Sequence, residues 1–161
     1  MTKEELGTLI LASERQFYAT AKTILYSDHD CADAIQETIV KAFVKLPTLK
    51  KDAYAKTWLI RILINECYNI LRKENRQELL KDRRKNCLKQ TEETTDYSEL
   101  YDTIHALKEK LQIPVVLYYM KDFSIKEIAQ ILHISEGAVQ KRLARARREM
   151  KEELQKREAY I

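Results

Sequence analysis

The 161-residue chain has almost no turn formers: two glycines and two prolines. A sheet protein reverses direction every few residues and uses such residues to do so, which argues against an all-β or α/β fold. The same scarcity excludes a glycine-rich phosphate loop, which needs several closely spaced glycines. Cysteine is sparse as well. Cys31, Cys67 and Cys87 form an odd set without CxxC spacing, and read as three reduced thiols of a cytosolic protein rather than a disulfide framework. His29, His105 and His133 are isolated from one another, so no metal site is expected and no cofactor is implied. No apolar run approaches the ~18 residues of a membrane span. The opening MTKEELGTLI lacks the basic start and apolar core of a signal peptide. Direct membrane insertion is therefore not expected, and no carboxylate pair, Cys/His array or phosphate loop argues for an enzyme.

What is present is helix-forming and charged. Hydrophobic residues make up 45% and charged residues 34%, with a net charge of +4. That composition suits a soluble, all-α protein with enough apolar material for real cores. In the first segment, Thr2 to Tyr26, Leu6, Ile10, Phe17, Ala21, Ile24 and Leu25 recur at near-helical spacing. Ser27 to Asp30 is a polar break with good N-cap residues. A helix is expected from about Cys31 to Leu46, with Ile35, Ile39, Ala42, Phe43 and Leu46 as its apolar stripe and Asp33, Gln36 and Glu37 on other faces. Pro47 ends it. Thr48 to Ala53 reads as a loop, and a long helix is expected from about Tyr54 to Gln77. Between Arg72 and Lys89 there are eight bases against three acids. From Gln90 to His105 there are five acids and no Lys or Arg. This sign change marks a polar linker, placed at residues 78–97, between domains 1–77 and 98–161. The apolar block from Leu100 to Leu117 reads as helix, with Pro114 a local irregularity.

The stretch from Ser124 to Met150 carries the most information. Ser124-Ile125-Lys126-Glu127 is an S-x-x-E capping box, so a helix is expected to start at Ile125. Ile128, Ala129 and Leu132 face inward, His133-Ile134 is a short turn, and Ser135 is the next N-cap. The following helix has Val139, Leu143, Ala146, Met150 and Leu154 on one side and Gly137, Gln140, Lys141, Ala144, Arg145 and Arg148 on the other. Two helices joined by such a turn, the second basic outside, describe a helix-turn-helix. Glycine usually occupies the turn, and histidine tolerates the left-handed backbone better than most residues. From Lys141 to Arg157 eight bases meet three acids, whereas a merely solvated helix tends to balance its charges in i,i+4 pairs. A plain helical hairpin with a solvated face remains the alternative. A helix of this kind fits the major groove of DNA, where Gln140, Lys141 and Arg145 suit base edges. Arg142, Arg147 and Arg148 suit phosphates.

Three motifs in order, D-C-A-D-A-I-Q-E-T at 30–38, W-L-I-R-I-L-I-N-E-C-Y-N-I-L-R at 58–72 and the helix-turn-helix at 124–147, resemble bacterial sigma factors of the sigma-70 family. The resemblance is to the small extracytoplasmic-function (ECF) group and covers most of the chain. It implies two small helical domains, regions 2 and 4, joined by a flexible linker. It also implies a transcription initiation factor with three partners: core RNA polymerase, promoter DNA as duplex and as non-template single strand, and an anti-sigma factor. By that resemblance Asp33, Gln36 and Glu37 bind core polymerase. Trp58, Asn65 and Asn69 act at the opened −10 element, with a core position as the alternative for Trp58, and Lys56, Arg61 and Arg72 follow its backbone. Ser135, Gln140, Lys141, Arg142, Ala144, Arg145 and Arg148 meet the −35 element. The chain would be cytoplasmic, held at the membrane where its anti-sigma factor is anchored there. Ala55, Asn69 and Lys108 depart from the family pattern, so promoter preference does not carry over. A helix-turn-helix regulator acting without polymerase shares the C-terminal motif but leaves the 30–72 block unexplained.

Overall fold

In the computed structural model, which describes residues 1–77, 98–119 and 123–159 and side chains over 1–74, 99–119 and 123–156, every regular element is helical among the described residues. The chain divides into two compact units. The first contains α1 (Lys3–Ala12), α2 (Glu14–Ile24), α3 (Asp28–Lys45) and α4 (Ala55–Gln77). The second contains α5 (Ser98–Ala106), α6 (Glu109–Tyr119), α7 (Ile125–Leu132) and α8 (Glu136–Ala159). The expected linker at 78–97 and Cys87 lie outside the described residues. Of the acidic run, Glu99 and Asp102 stand on α5, beyond the expected linker.

Side-chain caps begin four of the described helices. Thr2 and Glu5 exchange side-chain and backbone hydrogen bonds at the head of α1. The segment of near-helical spacing forms two helices that meet at Ser13, whose hydroxyl donates to the Leu9 carbonyl at 2.7 Å. All six apolar residues read from that segment are buried. Ser27 caps α3, accepting from the Asp30 amide, so α3 begins at Asp28 and not near Cys31. Pro47 ends α3 as expected, but the following stretch contains two tight turns, Leu46–Thr48 and Asp52–Tyr54, instead of an open loop.

α4 packs on α2 and α3. Leu59, Ile60, Leu63, Ile64 and Cys67 are buried with Phe17 and Leu25. Each such large side chain stabilises the fold by roughly 1.5–3 kcal/mol relative to exposure. α3 corrects the expected stripe. Its buried side is Cys31, Ala34, Thr38 and Ala42, while Ile35, Ile39, Phe43 and Leu46 are half-buried. Small residues on the seam let α3 and α4 approach closely, because interaxial distance follows side-chain size. Burial pushes the Cys31 thiol up to about 12 and raises that of Cys67 too, so neither ionises near neutrality.

In the second unit the apolar block is two helices, not one. The break falls at Leu107–Lys108, where the Gln112 side chain donates to the Leu107 carbonyl at 3.0 Å. α6 continues through Pro114, which removes one backbone donor without ending the helix. Leu111, Val115, Leu117, Ile128, Val139, Leu143 and Ala146 form the core. In α7 Ile131 is buried and Leu132 is half-buried, while in α8 Met150 is half-buried and Leu154 is exposed. The expected stripe therefore runs past the end of its packing partners.

The α2–α3 corner is tied by charge. Lys22 donates to Asp28 at 2.8 Å and to the Tyr26 carbonyl at 3.0 Å, and the Tyr18 hydroxyl also donates to Asp28. These bonds hold the Asp28 carboxyl below the usual carboxylate range. A depressed carboxylate stabilises the fold fully above its unfolded-state value and ceases to do so as pH falls through its folded-state value. Asp28→Asn should therefore lower the melting temperature at neutral pH, with the gap to the parent closing below about pH 4. Thermal melts across the acid range check this, and a gap independent of pH would assign Asp28 a role in shape alone.

Candidate nucleic-acid interface

The same packing that buries one side of α4 leaves a stripe on the other. Trp58, Arg61, Asn65, Asn69 and Arg72 follow one another at steps of three or four and so share a face. Arg61, Asn65 and Arg72 are exposed, and Trp58 and Asn69 are half-buried. Trp58 thus neither fills the core nor stands free. The Asn65 side chain makes no hydrogen bond among the described residues, while Asn69 accepts a long one, 3.4 Å, from Arg72. Amides so placed retain donors and acceptors for a base edge. Lys56 does not join them: nine residues from Asn65 is about two and a half turns, which puts it on the opposite side of the helix, exposed. Near the start of α4, Tyr54 is exposed with the Lys51 ammonium 6.0 Å from its ring centroid.

The stripe carries two arginines and no acid. The nearest acid, Glu66, is only 7% exposed and forms an ion pair with Lys41 of α3. Its carboxylate raises the pKa of the Lys41 ammonium. This cross-helix pair escaped the sequence reading. A lone Glu in the apolar run L-I-N-E-C was the available signal.

The helix-turn-helix forms as expected. Ser124 and Glu127 make both bonds of the capping box, at 3.0 and 3.1 Å. His133 adopts φ 57°, ψ 42°, the left-handed conformation, and the Ile134 amide returns to the Ala129 carbonyl at 3.1 Å, closing α7. Ser135 caps α8 by accepting from the Ala138 amide at 3.0 Å, which leaves its hydroxyl proton for an outside acceptor. With Val139, Leu143 and Ala146 buried, Lys141, Ala144, Arg145 and Arg148 face away from the core. Gln140 is exposed on one flank with Arg147, and Arg142 is half-buried on the other. Among the described residues, none of Lys141, Arg142, Arg145, Arg147 and Arg148 forms an ion pair within the chain. A row of unpaired bases on a projecting helix has the electrostatic form of a phosphate-binding surface.

On α3, Asp33, Gln36 and Glu37 are exposed together, with His29 3.5 Å from Asp33. Within the first unit the structure groups the α4 residues without Lys56 on one face and the α3 acid–amide residues on another, and within the second unit it groups the α8 residues on one outer side.

Two segments of the chain match family models. Residues 9–77 match the family model for sigma-70 region 2, and residues 97–150 match that for sigma-70 region 4. The chain is 28% identical to RNA polymerase sigma factor SigV of Bacillus subtilis over 96% of this chain and 94% of that protein. It is 30% identical to an ECF RNA polymerase sigma-E factor of Salmonella typhimurium over 73% of this chain and 70% of that one. Among solved structures, sigma factor RpoE of Bartonella quintana, crystallised with the anti-sigma factor NepR, aligns with a TM-score of 0.75 at 22% identity, covering 95% of this chain and 96% of that one.

The turn between α7 and α8 makes a direct claim on side-chain shape. His133→Gly should stay within about 1 kcal/mol of the parent, since glycine enters the left-handed region without steric cost. His133→Val should lose about 1–2 kcal/mol. Denaturant titration of the two variants measures both.

Proposed function

The chain belongs to the sigma-70 family of RNA polymerase sigma factors, in its extracytoplasmic-function group, and we propose that its two units read one promoter in two different ways. It is an initiation factor that binds core RNA polymerase, and the family works by recruitment rather than catalysis. In the proposed reading residues 1–77 act as region 2, 78–97 as the linker and 98–161 as region 4.

The observation that carries the reading is the unpaired basic face of α8. Arg145 and Lys141 reach base edges of the −35 duplex, and Arg148 with the flanking Arg142 and Arg147 holds phosphates. The Ser135 hydroxyl donates to a phosphate at the head of the helix, and Ala144 keeps the surface low enough for close approach. Gln140 reads from the flank. On α4, Asn65 and Asn69 offer amides to an unstacked base of the −10 element, Trp58 supports the stacked edge, and Arg61 and Arg72 track the strand. Lys56, on the far side of α4, meets backbone outside that row. Neither unit needs to bind tightly alone, because polymerase holds both and makes the second contact effectively intramolecular. Asp33, Gln36 and Glu37 take the polymerase side.

An anti-sigma partner fits the same reading, since the Bartonella relative in fold was crystallised with one. No helix among the described residues is long and apolar enough to cross a membrane, which suits a cytoplasmic factor whose membrane attachment, where present, comes from that partner. A stand-alone helix-turn-helix regulator is not favoured, because the region 2 match over residues 9–77 has no role in it.

Arg145→Ala should weaken binding to the upstream element by about 1–3 kcal/mol and relax one base position. Footprinting of the reconstituted holoenzyme checks it, and an unchanged footprint rejects the assignment. Asn65→Ala should reduce discrimination among −10 sequences in transcription assays while core binding and melting temperature hold. Loss of folding would make Asn65 structural instead.

A further inference from the structure

Among the described residues Glu66 is the one charged side chain that the fold buries, and apolar packing alone would close the core around it. Ile62 and Leu63 one turn back, and Cys67 beside it, are buried. An apolar side chain at this position avoids the cost of taking a carboxylate out of water, and a buried ion pair is often no more stable than an apolar pair of like volume. Glu66 nonetheless has a fixed partner, the Lys41 ammonium of α3. Lys41 does not lack alternatives. Exposed Glu37 stands one turn behind it, and solvent lies beyond exposed Val40 and Val44. Its ammonium instead reaches across the seam to α4.

What the pair supplies is direction. Apolar contacts are non-directional, so a seam of small residues against leucines tolerates some turning of one helix on the other. A bond between ammonium and carboxylate holds only over a narrow range of length and angle. Glu66 follows Asn65 directly and stands three residues before Asn69, about 60° around α4 from that amide. An amide about 5–6 Å from the helix axis moves by about 2 Å when the helix turns by about 20°. That displacement exceeds the spread of hydrogen-bond lengths, so a modest turn of α4 takes both amides off a base edge.

We propose that Lys41 and Glu66 are positioning residues for promoter reading: their bond fixes the rotation of α4 against α3, and so the aim of Asn65 and Asn69 at an unstacked base. The proposal rests on the reading that this face of α4 takes a base of the −10 element, and adds what sets its aim. Glu66 is buried and Lys41 is engaged with it, so the pair acts through the two amides. Fixing register is the role in which buried ionic groups are best attested.

The test uses holoenzyme reconstituted with the full chain and a promoter library randomised in the −10 element, with the upstream element held constant. Transcription is read at a temperature where every variant is folded. K41M/E66M should keep the parental melting temperature or exceed it and bind core polymerase as the parent does, while its preference among −10 sequences falls about tenfold. E66Q, whose side-chain carbonyl still accepts from the Lys41 ammonium, should keep that preference within about twofold. At the base position that N65A relaxes, adding K41M/E66M to N65A should cost nothing further, because no amide is left there to aim. If K41M/E66M does not fold, K41M/E66Q takes its place: it keeps the shape of residue 66 and lacks the ion pair, so the same outcomes apply. Parental preference in the pair variant beside a relaxed N65A overturns the proposal and leaves the reading of α4 standing. Parental preference in both overturns the reading of α4 itself. A loss in the pair variant that adds to that of N65A makes the pair a structural tie and overturns the proposal, as does an equally deep loss in E66Q.

Discussion

The seam between α3 and α4 is the constraint from which both proposed working faces of the first unit follow. Cys31, Ala34, Thr38 and Ala42 give α3 a side of small residues, against which the Leu59, Leu63 and Cys67 side of α4 packs closely. Lys41 and Glu66 add a charged pin across it. A mostly buried carboxylate with a fixed partner resists rotation of either helix, since turning one would strand a charge in low dielectric. With the rotation held, the acid–amide side of α3 and the Asn65 side of α4 are presented in fixed orientations on their own helices. Core packing and functional display are in this sense one arrangement.

Charge is sorted by element. The α4 stripe has Arg61 and Arg72 and no exposed acid, and α8 projects Lys141, Arg145 and Arg148. The α3 stripe has Asp33 and Glu37. Sorting of this kind is invisible in a net charge of +4, because the two signs cancel in the sum while standing on different faces. Faces of opposite sign present different fields to an approaching partner before any close contact forms.

Much of this was legible before folding was considered. S-x-x-E at 124–127, Ser135 and the three-four spacing of Val139, Leu143 and Ala146 act within a turn or two, so their consequences appear in the linear pattern. The left-handed backbone at His133 was readable for the same reason: a turn between two capped helices leaves little room for anything else. The near-helical spacing over Thr2–Tyr26 gave no sign of the break at Ser13, because the apolar spacing continues across it. The helix expected over Leu100–Leu117 failed at Leu107–Lys108 and held at Pro114, whose missing amide removes one backbone bond without ending the helix. The Ile35–Ile39–Phe43 stripe of α3 was misplaced since periodicity gives a face without saying which of two neighbouring faces meets a helix.

Residue order alone therefore specified the all-helical class, the two-part organisation, the caps, and the basic outer face of α8, all of which depend on neighbours within a few positions. Packing of distant segments specified the rest: that Glu66 reaches Lys41 across 25 positions, that Lys56 stands apart from the Asn65 row, and that Val40 and Val44 remain open while Ile35 and Ile39 are partly covered. Those outcomes turn on which surface of α3 a helix some thirty residues later comes to occupy, and no local interaction encodes that choice.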